Sequence, residues 1–133
     1  MNTKTFEEVA IRFREIVFSE EFDIIIAIAN GGIIPAAILN QRLELPIGLL
    51  KINLRDANQQ IKYEQPKLLE SIHFEFKNKT VLLVDDRVKT GQTFQFAINL
   101  LQEAKQIKTF AVNGKADYCL YDEGCFRFPW IIS

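Results

Sequence analysis

The sequence predicts an α/β domain, a mainly parallel β-sheet flanked by helices. Three observations predict it. Ile24–Ala29 and Val81–Val84 are short, wholly apolar and rich in β-branched residues, the pattern of strands buried on both faces. Segments with helical spacing of apolar residues follow these runs. The chain has 133 residues, 48% hydrophobic and 25% charged, which is one domain's worth with enough apolar mass for a core. Residues 1–133 are therefore read as a single domain.

Thr5-Phe6-Glu7-Glu8 reads as a capping box. Phe6, Val9, Ala10, Phe13, Ile16 and Val17 continue at helical spacing, so a helix is expected over 6–18. Ile24–Ala29 is the first buried strand, and Asn30-Gly31-Gly32 turns the chain. A helix is expected over Ile33–Leu43, with Pro35 tolerated in its first turn. Pro46 ends it, and 47–52 is the next strand. Residues 53–66 are polar and aperiodic, a long loop of the kind that is functional or disordered. His73–Phe76 reads as a short extended piece and Lys77-Asn78-Lys79 as a turn. Thr80–Asp85 is the strongest strand. A helix is expected from Thr93 to Ala104, with Phe94, Ala97, Ile98 and Leu101 on one face. Strands are expected at 108–113 and 117–121, and Phe126–Ile132 is an apolar tail.

Charge and composition exclude several classes. Lys plus Arg is 16 and Asp plus Glu is 17, a formal charge of -1, so a nucleic-acid or membrane-surface partner is not expected. No apolar run approaches the ~20 residues of a membrane span. Acids stand in the first eight residues where a secretory signal is apolar, so a cytoplasmic location is expected. Cys119 and Cys125 fit a reducing compartment and read as buried small residues. His73 is the single histidine, so no zinc set exists, and histidine-based nucleophilic catalysis needs His73 beside a nucleophile. His73 itself reads as a loop or core residue. No Gly-Lys-Ser/Thr follows the glycines, which excludes a Walker-type loop.

Parallel sheets bind ligands beyond the carboxyl ends of their strands. That singles out Ala29–Gly32, Asp85–Thr93 and Asn113–Lys115. The segment Val81 to Thr93 carries the most chemistry: four apolar residues, Asp85-Asp86, then Thr90-Gly91-Gln92-Thr93 opening a helix. Successive N–H groups in such a turn form an anion nest, and the helix N-terminus adds partial positive charge. Gly91 allows a tight backbone, and Thr90 and Thr93 add hydroxyl donors. Carboxylates suit sugar hydroxyls, or a magnesium ion through water. The ligand described is a phosphorylated sugar with free hydroxyls.

These thirteen residues resemble the phosphoribosyl-pyrophosphate signature of the type I phosphoribosyltransferases. Leu-Leu-Val-Asp-Asp also opens signalling receiver domains, but there it stands near the N-terminus and Thr-Gly-Gln-Thr has no place. Two further segments fall where the family places them. Ile24–Leu39 resembles the pyrophosphate-binding loop, where family members often have a non-proline cis peptide. Val112-Asn113-Gly114-Lys115 and Cys125-Phe126-Arg127-Phe128-Pro129-Trp130 resemble the base-binding segments of the bacterial and archaeal xanthine/hypoxanthine branch.

The resemblance implies transfer of 5-phosphoribosyl from phosphoribosyl pyrophosphate to a purine base, with Mg2+ as cofactor and a homodimer as the assembly. It implies that Asp85 and Asp86 hold the ribose hydroxyls and flank the metal, and that Lys89, Thr90, Gly91, Gln92 and Thr93 grip the 5-phosphate. Ala29, Asn30, Gly31 and Gly32 hold the pyrophosphate, with Lys51 at the end of the next strand. Lys115 reaches the exocyclic oxygen of the base, and Phe126 and Trp130 form a pocket wall. The loop 53–66 is the lid, with Arg55, Lys62 and Tyr63 as its contacts.

The chain departs from the family pattern at three points. Lys89, counted with Asp85 and Asp86 as a catalytic candidate, stands where 6-oxopurine enzymes commonly carry an aspartate that handles the ring proton. A lysine normally carries positive charge at neutral pH, which suits phosphate better than proton abstraction. Asn30 replaces the usual arginine of xanthine-type enzymes, which removes a charged contact of about 1.5–3 kcal/mol. The chain is short, so its C-terminal hood is minimal. These departures raise the alternative of a weakly active or inactive relative that binds nucleotide or phosphoribosyl pyrophosphate as a sensor.

Overall fold

The structure, a computed structural model, describes residues 2–53 and 66–132. Its elements are β1 (Asn2–Thr3), α1 (Phe6–Glu15), β2 (Ile24–Ala29), α2 (Ile33–Leu43), β3 (Ile47–Asn53), β4 (Lys67–Leu68), β5 (Thr80–Arg87), α3 (Gln92–Leu100), β6 (Gln106–Asn113), β7 (Tyr118–Tyr121) and β8 (Phe126–Arg127). Six strands form one sheet in the order β4-β3-β2-β5-β6-β7, and β1 pairs with β8 separately. Every pairing is parallel except β3 with β4.

The apolar runs become the central strands because both faces of the sheet are covered. Ile25, Ala27, Leu82, Val84, Phe110 and Val112 face a core under α1 and α2. Ile24, Ile26, Ile28, Val81, Leu83 and Ala111 face a second core under α3. The period of two in the strands thus sorts one apolar run into two cores. Asp23 sets the register at the start: the Thr80 N–H donates to its Oδ2 at 2.8 Å, while the Asp23 N–H donates to the Thr80 carbonyl at 2.8 Å.

The helices depart from the expected limits at their C-terminal ends. Thr5 caps α1, its Oγ1 accepting from the Glu8 N–H at 3.1 Å. The helix stops at Glu15 rather than continuing to 18, because Ile16 turns extended and Phe18 leaves to pack on Phe22, Phe110 and Tyr118. α3 ends at Leu100 rather than 104, where the Ala104 N–H tightens onto the Leu101 carbonyl at 2.9 Å. Residues 73–76 are not a strand; Phe74 instead lies against Gly48, where a Cβ would meet its ring at 2.5 Å. β1, β4 and β8 have no counterpart among the expected elements.

β7 joins β6 in parallel through residues 114–117 alone, far shorter than the usual crossover. The Thr109 N–H and hydroxyl donate to Asp117 Oδ2 at 2.9 and 3.1 Å, and the Asp117 N–H donates back to Thr109 Oγ1 at 2.9 Å. This clamp returns the chain beside β6. Beyond β7, residues 122–130 and β1 form the small hood. Lys4 ties the two together, with its ammonium 2.9 Å from Glu123 and over the rings of Tyr121 and Phe126. No helix of the described residues is long and apolar enough to cross a membrane.

Candidate active site

The strand order reverses between β2 and β5. From β2 the chain winds outward to β3 through α2, and from β5 it winds the other way to β6 through α3. The connections of these two strands leave in opposite directions, so among the described residues a crevice opens at their carboxyl ends. A cavity of about 180 Å³ occupies it. Ala29, Asn30 and Gly31 line one side, Asp85 and Asp86 the floor, and Lys89, Thr90, Gly91 and Thr93 the other side. The Ala29–Asn30 peptide is cis.

The N-terminus of α3 opens on this cavity behind Gly91, which adopts φ 84° and gives no side-chain cap, and α2 begins just behind the lining residue Gly31. The Gly32 and Ile33 N–H groups are held by the Ile28 and Asn30 carbonyls at 2.7 and 3.1 Å, so what the two helix starts offer an anion is chiefly their partial positive charge. Within the loop, Thr90 Oγ1 accepts from the Gln92 N–H at 3.3 Å. The glycine pair lets the two loops approach. A Cβ on Gly31 would sit 2.5 Å from Asp86 Oδ1, and one on Gly32 would sit 2.3 Å from the Val84 carbonyl oxygen and 2.8 Å from that of Ile28.

Asp85 and Asp86 are half-buried neighbours. The Asp86 N–H donates to Asp85 Oδ1 at 2.8 Å. Burial, and then the adjacent Asp86 charge, push the Asp85 carboxyl well above the usual carboxylate range. The folded state then holds a proton on Asp85 that the unfolded chain has lost, so stability falls as pH rises from about the unfolded value of 3.8 through the raised folded value. Asp85→Asn removes the penalty. Its thermal midpoint is expected to match the wild type below that window and to exceed it increasingly up to a plateau above it. A pH series of melting curves checks this, and parallel curves at all pH values would refute it.

A second cavity, about 420 Å³, adjoins the first and shares Arg87, Val88, Lys89, Thr90 and Gly91 with it. Its far side is Asn113 to Lys115 and the hood residues Asp122, Glu123 and Cys125. Asn113 is buried and holds the hood in place. Its Nδ2 donates to the carbonyls of Glu123 and Gly124 at 3.2 and 3.4 Å, and its Oδ1 accepts from the Glu123 N–H at 3.0 Å.

Most of the sequence-predicted residues meet at these cavities, but several do not. Lys115 lines the second cavity rather than the first. Gly32 is buried beneath the first cavity, and Gln92 is exposed in the first turn of α3. Lys51 stands beside Ala29 in register, yet its ammonium pairs with Glu70 at 3.1 Å, so its charge is already engaged. Phe126 and Trp130, expected to form a pocket wall, line neither cavity. Phe126 is 1% exposed, edge-on to Tyr121 and Phe128, and the half-buried Trp130 stacks on Phe128 at the edge of the core. The apolar area of Phe126 is worth more in the core than on a wet rim. Cys119 is half-buried and Cys125 exposed, both as free thiols, and His73 is exposed in a loop. Arg55, Lys62 and Tyr63, with nearly all of the lid segment, lie outside the described residues.

Arg87 and Asn113 are the site residues that the motif itself does not reveal. The one sequence signal for Arg87 is a charge between the paired acids and Val88, and for Asn113 a polar residue ending an apolar strand. Among the described residues no group of three or more metal-ligating side chains forms. Two carboxylates alone suit Mg2+ that keeps its waters and is held largely by phosphate oxygens of a substrate.

A mainly parallel sheet with paired carboxylates and a Thr-Gly-x-Thr helix start at its switch point marks an α/β protein of the type I phosphoribosyltransferase fold. The chain belongs to the phosphoribosyl transferase domain family, whose model matches residues 3–126. Its structure is similar to that of a purine phosphoribosyltransferase from Pyrococcus horikoshii, with TM-score 0.80, 26% identity, and coverage of 99% of this chain and 97% of that one. A xanthine-guanine phosphoribosyltransferase from Idiomarina loihiensis is 28% identical over 119 residues, 84% of this chain and 73% of its own length. An orotate phosphoribosyltransferase from Pyrobaculum islandicum is 32% identical over 101 residues, 76% of this chain. The chain spans about half, 48%, of that orotate enzyme's length.

Proposed function

We propose that the protein transfers 5-phosphoribosyl from phosphoribosyl pyrophosphate to the ring nitrogen of a purine base. The C1–oxygen bond to pyrophosphate breaks and its electron pair leaves with pyrophosphate; a C1–N bond forms, and the base passes its ring proton to solvent or to the departing pyrophosphate. One observation carries this reading: Asp85, Asp86, the residues Lys89, Thr90, Gly91 and Thr93, and the loop 29–31 line a single cavity. The uncapped start of α3 suits the 5-phosphate, and the start of α2 suits the leaving pyrophosphate. Asp85 and Asp86 suit the ribose hydroxyls, and their charge lies near the positive charge that develops on the sugar. Mg2+ bound with the pyrophosphate supplies charge neutralisation. A purine is favoured over orotate because the likeness to the P. horikoshii purine enzyme runs nearly the full length of both chains. A homodimer and a cytoplasmic location belong to this reading.

The test is pyrophosphate release from phosphoribosyl pyrophosphate and magnesium, with hypoxanthine, guanine, xanthine, adenine, uracil and orotate offered in turn. Release that depends on a purine is expected. Saturable binding of phosphoribosyl pyrophosphate with no release for any base would replace the transferase by a sensor.

A further inference from the structure

The second cavity carries an excess of positive charge. Arg87, Lys89 and Lys115 line it, against Asp122 and Glu123. Glu123 is already paired with Lys4 at 2.9 Å, and its backbone is held by Asn113. That leaves three cations facing Asp122. Among the described residues none of the three makes a salt bridge.

Arg87 is the least expected of them. It sits at the junction of both cavities, half-buried. Its guanidinium lies 4.7 Å over the Phe128 ring, and one Nη donates to the Phe126 carbonyl at 2.8 Å. Its Nε is buried and has no acceptor. A guanidinium with a fixed plane and an uncommitted donor prefers an anionic oxygen, and a buried N–H without a partner is rare.

We propose that this cavity selects an acceptor base that binds as an anion, with Arg87 as a specificity-determining residue and Lys115 and Lys89 completing the field. That the ligand is an acceptor base rests on the transferase reading; the charge preference rests on the cavity alone. Two bases supply this chemistry: a dioxopurine such as xanthine, acidified by its second oxo group, and a pyrimidine carboxylate such as orotate.

Equilibrium binding of nucleoside monophosphates tests the preference without turnover. Xanthosine or orotidine monophosphate is expected to bind about tenfold tighter than inosine and adenosine monophosphates, the scale of one desolvated charged contact. The preference is expected to fall below about threefold in Arg87→Met, which keeps the stem over Phe128, and to weaken in Lys115→Gln, whose side chain is exposed. An advantage that grows with pH through the ionisation of the base identifies the dioxopurine; a pH-independent one identifies the carboxylate and replaces the purine of the proposed transferase by a pyrimidine. Equal binding of all four nucleotides, or a preference untouched by both variants, overturns the proposal. Pyrophosphate release with neutral bases only would also overturn it while sustaining the transferase. The preference without release for any base would remove the transferase and leave the anion site standing.

Discussion

The double variant Asp85→Asn, Asp86→Asn is expected to lose roughly 10²- to 10⁴-fold in phosphoribosyl pyrophosphate binding or turnover while keeping its fold. In the proposed site each carboxylate would accept sugar hydroxyls as a charged partner, and such bonds are worth about 1.5–3 kcal/mol each. Two together give roughly 3–6 kcal/mol, and every 1.4 kcal/mol is about a factor of ten. The fold is spared because the pair lies at the end of β5 rather than in either core. Asn at 85 still offers an oxygen to the Asp86 N–H, now the Asn N–H at 86. At neutral pH the variant melts higher than the wild type, since burial and the neighbouring charge disfavour ionised Asp85. Titration with phosphoribosyl pyrophosphate and a melting curve read both effects. Unchanged binding would remove the pair from the site, and a collapsed melting transition would make them structural.

The adjacent glycines are expected to separate function from fold. A methyl at Gly32 meets the Val84 and Ile28 carbonyl oxygens at 2.3 and 2.8 Å. Both belong to the two central strands, which have no room to move, so Gly32→Ala costs at least the upper end of the roughly 1–3 kcal/mol seen for overpacking. Against a total stability of about 5–15 kcal/mol that is a large loss. The three atoms nearest a methyl at Gly31 all belong to the Asp86 carboxylate, with Oδ1 at 2.5 Å. A side chain can swing aside, so Gly31→Ala changes stability little and displaces the carboxylate. Binding is expected to fall about 10- to 10²-fold, the loss of one charged hydrogen bond. Denaturant unfolding and ligand titration on both variants check the contrast. Equal stability losses would show that the loop around Asp86 is as rigid as the strands.

The central part of the molecule was legible in the sequence because its signals are local. Ile24–Ala29 and Val81–Val84 need no distant partner to read as buried strands, and Ile33–Leu43 carries its own start and stop. The pairing of acids with a Thr-Gly-x-Thr turn is contiguous, so the cavity at Asp85–Thr93 follows from residues adjacent in the chain. Hydrophobic periodicity and turn chemistry act over a few residues, and so they can be read without knowing where the chain goes next.

Folding added what depends on residues far apart in the chain. β1 finds β8 across the whole length of the chain, and Lys4 meets Glu123 there. Phe126 and Trp130 look the same in sequence whether they line a pocket or fill a core; the start of β8 and the ring of Phe128 place Phe126 in the core and Trp130, half-buried, against it. Lys51 is drawn to Glu70 by the antiparallel return of β4. Arg87 becomes a site residue only when the hood brings the Phe126 carbonyl and the Phe128 ring to it. Composition, periodicity and one contiguous motif therefore determined the fold class and the first cavity, at Asp85–Thr93. The second cavity, under the hood, was decided by packing between segments that no local rule connects, because burial and charge pairing are properties of neighbours in space.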